Sequence, residues 1–115
     1  MTLIHGETGT QSLIGYVLDV GCRAGAVCWL DLDDRHLNRQ GILHGGLAAT
    51  LLDSAMGATG SLTVDATGRH PFTTLSLTVN YLAPGHPGRV TATGGGNRRG
   101  GGARVAGIAP RGGLF

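Results

Sequence analysis

At 115 residues, 41% hydrophobic and 14% charged, the chain is long enough for one small core and too short for an enzyme with a separate cofactor domain. Its net charge of +2 sets nine arginines, with no lysine, against seven acidic residues, a balance too weak to mark a nucleic-acid binder by itself. No run approaches the ~18 apolar residues of a membrane span, MTLIHGETGT lacks the basic and apolar regions of a secretion signal, and Cys22 and Cys28 fit neither a disulfide framework nor a zinc site, so a soluble cytoplasmic protein with reduced thiols is expected.

Tyr16–Val20 and Ala26–Leu32 are β-prone apolar runs around Gly-Cys-Arg-Ala-Gly, the pattern of a hairpin with a glycine-containing loop. The polar stretch Asp33–Leu43, with Asn38 and Gly41 as turn formers, leads through His44-Gly45-Gly46 into a helix. From Leu47 to about Gly60 the residues Leu47, Ala48, Leu51, Leu52, Ala55 and Ala58 recur at helical spacing, and a helix so apolar predicts deep burial. Its remaining stripe is Gly46, Thr50, Asp53 and Gly57, small residues around one carboxylate. Beyond a turn at 65–71, Thr74–Leu82 alternates: Leu75, Leu77, Val79 and Tyr81 against Thr74, Ser76, Thr78 and Asn80, the pattern of a half-buried strand stopped by Pro84. Arg89–Thr93 begins a further strand. Residues 94–115 hold nine of the 22 glycines beside Arg98, Arg99, Arg104 and Arg111, a composition that predicts a flexible or irregular tail. The expected division is therefore an α+β domain over 1–93, one helix on an antiparallel sheet, and a Gly/Arg-rich tail over 94–115.

Asp53 is the sharpest chemical feature. A carboxylate in an apolar helix must reach solvent, find donors or accept a raised pKa, which makes it a candidate base; the alternative is a carboxylate capped by Thr50 or Ser54 on a wet face. No other charge stands between Leu43 and Val64, where a solvated face would carry several. His44-Gly45-Gly46 stands where unpaired backbone N–H groups and the positive end of the helix dipole favour developing negative charge, so the Gly45 N–H is a candidate oxyanion donor, although the same tripeptide is compatible with an unusual turn at a helix start. Asn38 is a turn former or an amide that orients a water or His44. The five histidines lack metal-ligand spacing, Ser54 and Ser61 lack a nucleophile-elbow context, and Cys28 has no charge partner in sequence, so metal and Ser/Cys nucleophile chemistry are not expected. The Arg/Gly tail has the composition of RGG-type segments but no aromatic residue before Phe115, which argues against nucleic acid as a partner.

The strings His36-Leu37-Asn38-Arg39-Gln40-Gly41-Ile42-Leu43-His44-Gly45-Gly46, Leu51-Leu52-Asp53-Ser54-Ala55-Met56-Gly57 and Leu77-Thr78-Val79-Asn80-Tyr81-Leu82-Ala83-Pro84, in this order, resemble the hotdog-fold acyl-CoA thioesterases of the phenylacetic-acid-degradation type, over about residues 15–93. The resemblance implies a helix wrapped by a curved sheet, a homodimer or homotetramer, an acyl-CoA substrate, no cofactor, and an active site between protomers. It implies Asp53 as general base or nucleophile, the Gly45 N–H as the group that polarises the thioester carbonyl, and Asn38 and His44 as polar groups near the thioester, supplied by the subunit opposite Asp53. It further implies Thr74 as a residue that positions the attacking water. Gly46 and Gly57, from the small stripe, are expected to leave room for substrate, and Arg69, Arg89, Arg98 and Arg99 are available to coenzyme A phosphates. Relatives continue past the position of Thr93 through two long strands; here a Gly/Arg tail stands in their place. The expectation is that these strands are lost or replaced, and the alternative function is a non-catalytic hotdog relic that binds acyl-CoA or merely oligomerises.

Overall fold

The computed structural model describes residues 1–96 and 103–110. Five antiparallel strands lie in chain order across one sheet: β1 (Leu3–His5), β2 (Val17–Asp19), β3 (Val27–Asp31), β4 (Arg89–Gly96) and β5 (Ala103–Pro110). A short helix, α1 (Gly9–Ile14), joins β1 to β2; the long helix α2 (Gly45–Leu62) is inserted between β3 and β4 and packs against β2, β3, β4 and β5. This is the expected α+β arrangement. The expected hairpin is β2–β3, with Val17 opposite Trp29 and Asp19 opposite Val27.

α2 buries Leu51, Leu52, Ala55, Ala58 and Leu62 against Cys28, Leu30, Val90 and Ala92 of the central strands and Ile4, Val20 and Ala26 nearer the edge. Each fully buried leucine contributes roughly 1.5–3 kcal/mol, so this face holds the domain together. Gly46, Thr50, Asp53 and Gly57 stay on the less buried side of α2, as the sequence stripe predicts. The helix begins two residues before the apolar periodicity does, because its first two residues are glycines with no side chain to bury.

One buried hydroxyl fastens α2 to the sheet. Thr59, 2% exposed, donates to the Ala55 carbonyl at 2.7 Å and accepts from the Ala26 N–H at 2.9 Å. Directly beneath it passes Gly94, whose own N–H donates to the Ala26 carbonyl at 2.9 Å where β4 shifts register. A Cβ built on Gly94 falls 2.0 Å from Thr59 Oγ1 and 2.6 Å from the Ala55 carbonyl oxygen. The strand lies this close to the helix because residue 94 has no side chain.

Two expectations need correction. The sheet does not stop at Thr93: β4 runs on through Gly94–Gly96, and β5 pairs with it from Val90↔Pro110 to Gly96↔Ala103. Glycine weakens a strand by backbone entropy, but β4 pairs with β3 as far as Thr93 and with β5 through Gly96, and with α2 packed on it these bonds and contacts offset that. Residues 97–102 and 111–115, with Arg98, Arg99 and Arg111, lie outside the described residues. The second correction is Thr74–Leu82, which forms no ladder with the described sheet; Leu75 is 98% and Leu82 82% exposed. Alternation is a property of sequence, whereas a strand also needs a neighbour for its backbone donors and acceptors, and no described strand lies beside this stretch. The segment is held instead by Val79 against the core and by a Leu43 N–H to Gly85 carbonyl bond of 2.7 Å just beyond it.

Candidate active site

The start of α2 is built by the loop before it. His36 is buried and uses both ring nitrogens: Nδ1 accepts from the Asp33 N–H at 2.9 Å, so the ring proton sits on Nε2, which donates to the Ile14 carbonyl at 2.8 Å. Its own carbonyl accepts the His44 N–H at 2.9 Å, which ties the end of the loop to its beginning. Between them Asn38 closes a turn: its N–H reaches the Ile42 carbonyl at 2.8 Å, and its side-chain oxygen accepts from Gln40 N–H at 2.9 Å and Ile42 N–H at 3.4 Å. The turn role is thus observed for Asn38, and among the described residues it makes no hydrogen bond to His44 or Asp53.

His44 caps α2 from extended backbone (φ −61°, ψ 130°), with Nδ1 accepting the Gly46 N–H at 2.9 Å. An accepting Nδ1 places the ring proton on Nε2 of this exposed residue. The N–H groups of Leu47 and Ala48 both reach the His44 carbonyl. The Gly45 N–H is left without a hydrogen-bond partner among the described residues, at the positive end of an 18-residue helix. That is the geometry of a donor available to an anion.

Two turns along the same helix, Asp53 is half-buried and accepts a hydrogen bond from the Thr74 hydroxyl at Oδ1. The structure thereby joins two residues 21 positions apart that the sequence linked only by resemblance. With its proton committed to Asp53, Thr74 Oγ1 keeps lone pairs with which to accept from a water beside the carboxylate. Gly57, one turn further, has nothing among the described residues within 4 Å of where its Cβ would stand, so the stripe beside Asp53 is open to them.

His44, Gly45 and Gly46 therefore form one group, and Asp53, Thr74 and the open position at Gly57 form another. A single helix keeps them apart: eight residues at ~1.5 Å each separate Gly45 from Asp53 by about 12 Å along the axis. No single carbonyl can touch both.

Other candidates have other duties. Arg69 forms a two-pronged ion pair with Glu7 (2.7 and 2.8 Å), whose hydrogen bonds hold the Glu7 carboxyl below its ordinary range. Arg89 pairs with Asp31 at 2.8 Å and lies over the Trp29 ring. Both of these arginines are engaged with carboxylates. Burial pushes the Cys28 thiol up to about 12, which removes thiolate chemistry there, and Cys22 is exposed and free. A contact the sequence did not disclose is Tyr81, whose hydroxyl donates to the Gly45 carbonyl at 2.7 Å. Strict alternation would group Tyr81 with Leu75 and Leu77, away from Thr74; in the irregular segment both Thr74 and Tyr81 turn toward α2.

Comparison with known proteins agrees with this architecture. The sequence profile of the Thioesterase superfamily matches residues 40–101, more than half of the chain. The fold is similar to that of a thioesterase from Haemophilus influenzae, at 23% identity and TM-score 0.70, over 82% of this chain and 64% of that one. It is similar to a conserved protein of Pseudomonas aeruginosa at 24% identity and TM-score 0.70, over 81% and 73% of the two chains. Thioesterase superfamily member 2 of the mouse is 26% identical, with a TM-score of 0.56, over 74% of this chain and 60% of that one. The chain thus spans less than two thirds of the length of the Haemophilus and mouse proteins. A search of curated proteins finds no match. The helix-on-sheet architecture is the hotdog fold, and the chain belongs to the thioesterase superfamily.

Proposed function

We propose that the chain hydrolyses acyl-CoA thioesters to a free acid and coenzyme A, in the manner of the phenylacetic-acid-degradation type, as a cytoplasmic homo-oligomer with sites between subunits. The observation that carries this reading is the pair of half-sites on α2: an unpartnered Gly45 N–H at the helix start, and a carboxylate held by Thr74 two turns on.

Thioester hydrolysis needs an activated water and a donor at the developing oxyanion, both within hydrogen-bond reach of one carbonyl. Asp53 takes a proton from a water that Thr74 Oγ1 helps to hold; the oxygen adds to the thioester carbon, and the oxyanion is met by the Gly45 N–H. Collapse of the intermediate breaks the C–S bond, and the departing thiolate receives the proton from Asp53. Because about 12 Å of helix separates the two groups, the Gly45 that serves a given Asp53 comes from a second copy, with His44 and Asn38 beside it. The open stripe at Gly46 and Gly57 receives the substrate, of which an aryl-acetyl or medium-chain acyl group is the proposed acyl part. Metal ions and cofactors have no role in this scheme, since water, carboxylate and backbone N–H complete the proton balance.

The test is release of free thiol from a panel of aryl- and aliphatic-CoA thioesters, run beside sedimentation of the same sample. Turnover by a dimer or tetramer supports the reading. A folded chain that releases no thiol from any of the panel refutes it.

A further inference from the structure

We propose that Tyr81 is a positioning residue of this site, acting on His44 through the Gly45–Gly46 peptide. The inference rests on the thioesterase reading for its kinetic part and on geometry alone for the rest.

Three hydrogen-bonding groups stand in series. The Tyr81 hydroxyl donates to the Gly45 carbonyl at 2.7 Å; that carbonyl and the Gly46 N–H belong to the same peptide unit; and the Gly46 N–H donates to His44 Nδ1 at 2.9 Å. A donor on a peptide carbonyl polarises the whole amide and strengthens its N–H as a donor, so the two bonds reinforce one another. The stronger the Gly46 N–H bond to Nδ1, the more firmly the ring proton stays on Nε2, the nitrogen left free for a substrate. The Tyr81 ring also lies over Gly45: a Cβ there would meet the ring carbons at 3.3 and 3.5 Å. Ring and hydroxyl together fix the plane of the peptide next to the one that carries the unpartnered Gly45 N–H.

The same segment carries Thr74. Residues 74–81 thus touch α2 through side chains at both half-sites, Thr74 at Asp53 and Tyr81 at Gly45, although the segment is otherwise largely exposed. A structural anchor needs only the ring against Gly45. A hydroxyl aimed at the carbonyl whose amide N–H donates to the His44 ring serves orientation.

The experiment is Tyr81→Phe, which keeps the ring and removes the hydroxyl, read by 15N NMR of the histidine side chains and by thioester kinetics. In the wild type, His44 is expected as a fixed Nε2–H tautomer. In Tyr81→Phe it moves toward a mixture of tautomers, the Gly46 amide resonance shifts, kcat falls about tenfold and KM stays within about twofold, with the melting temperature nearly unchanged. A wild-type spectrum that already shows mixed tautomers overturns the proposal even if the variant fails to fold, as does a variant with unchanged His44 and Gly46 signals. A variant with altered signals and full kcat overturns the positioning role. Absence of turnover in the wild type refutes the thioesterase reading, and the tautomer then decides the geometric inference without substrate.

Discussion

Replacing Gly94 with alanine adds one methyl group at the point where β4 passes beneath α2, and the structure sets its cost. The new Cβ would lie 2.0 Å from Thr59 Oγ1 and 2.6 Å from the Ala55 carbonyl oxygen, a backbone atom that cannot rotate away. Either β4 moves off the helix, or Thr59 swings and abandons the buried Ala26 N–H that it satisfies at 2.9 Å. Overpacking costs about 1–3 kcal/mol, and an orphaned buried N–H, where Thr59 is the one to move, about 1–3 more, so a loss of roughly 1–6 kcal/mol is expected against a total of ~5–15. At about 4–8 °C per kcal/mol for a domain of this size, the melting temperature followed by circular dichroism falls by at least about 4 °C. Gly57→Ala is the matched control: it adds the same methyl group to α2 where nothing stands within 4 Å, and it is expected to raise the melting temperature by a few degrees through the ~1 kcal/mol helix preference of alanine. A Gly94→Ala chain that melts within 2 °C, on the order of measurement error, would refute the close approach of β4 to α2. It would equally refute the inclusion of these late glycines in the fold.

Asp53→Asn removes the proposed base but keeps the shape, and is expected to lower kcat by about 10²–10⁴-fold with size and melting temperature unchanged; retained turnover excludes Asp53 as the base. Thiol titration of the native chain is expected to count Cys22 alone, with Cys28 reacting only after denaturation; two fast thiols would contradict the buried position of β3. Since burial raises the Cys28 thiol from its ordinary 9.0 to about 12, the unfolded chain binds fewer protons between those values. The stability contributed by the buried thiol is therefore complete below pH 9 and is lost as pH rises through the folded value, and Cys28→Ala should flatten that part of a urea-midpoint profile.

The helix, its buried face and the β2–β3 hairpin were legible because each rests on local periodicity: Leu51, Leu52, Ala55 and Ala58 can bury together only at helical spacing. Asp53 stood out for the same reason, as a lone charge on an apolar element. The sheet positions of Gly94–Gly96 were not legible, since glycine carries no pattern; what places them is Thr59, a residue 35 positions earlier that leaves no room for a side chain. Thr74–Leu82 misled in the opposite direction, because its alternation is intact while no described strand stands beside it. The turn is one of the two roles that the sequence allows Asn38, and the local bonds to Gln40 and Ile42 show it. Tyr81 lies in a string whose resemblance says nothing of its contacts, and its bond to Gly45 exists because the irregular segment lets odd and even residues face the same helix.

In the proposed mechanism a working site takes Asp53 from one copy and the Gly45 N–H from another, and subunit complementation separates the two. Gly45→Pro removes that N–H at the first helical position, where proline is favoured, and His44 already has the extended backbone that a following proline requires. Asp53→Asn and Gly45→Pro chains are each expected to be inactive alone. Unfolded together and refolded at equal concentration, they form mixed dimers in which one of the two sites is intact, and thioesterase activity is expected to return to about a quarter of the wild-type value. Mixed dimers that form and remain inactive would contradict the account, as would full activity in either variant by itself.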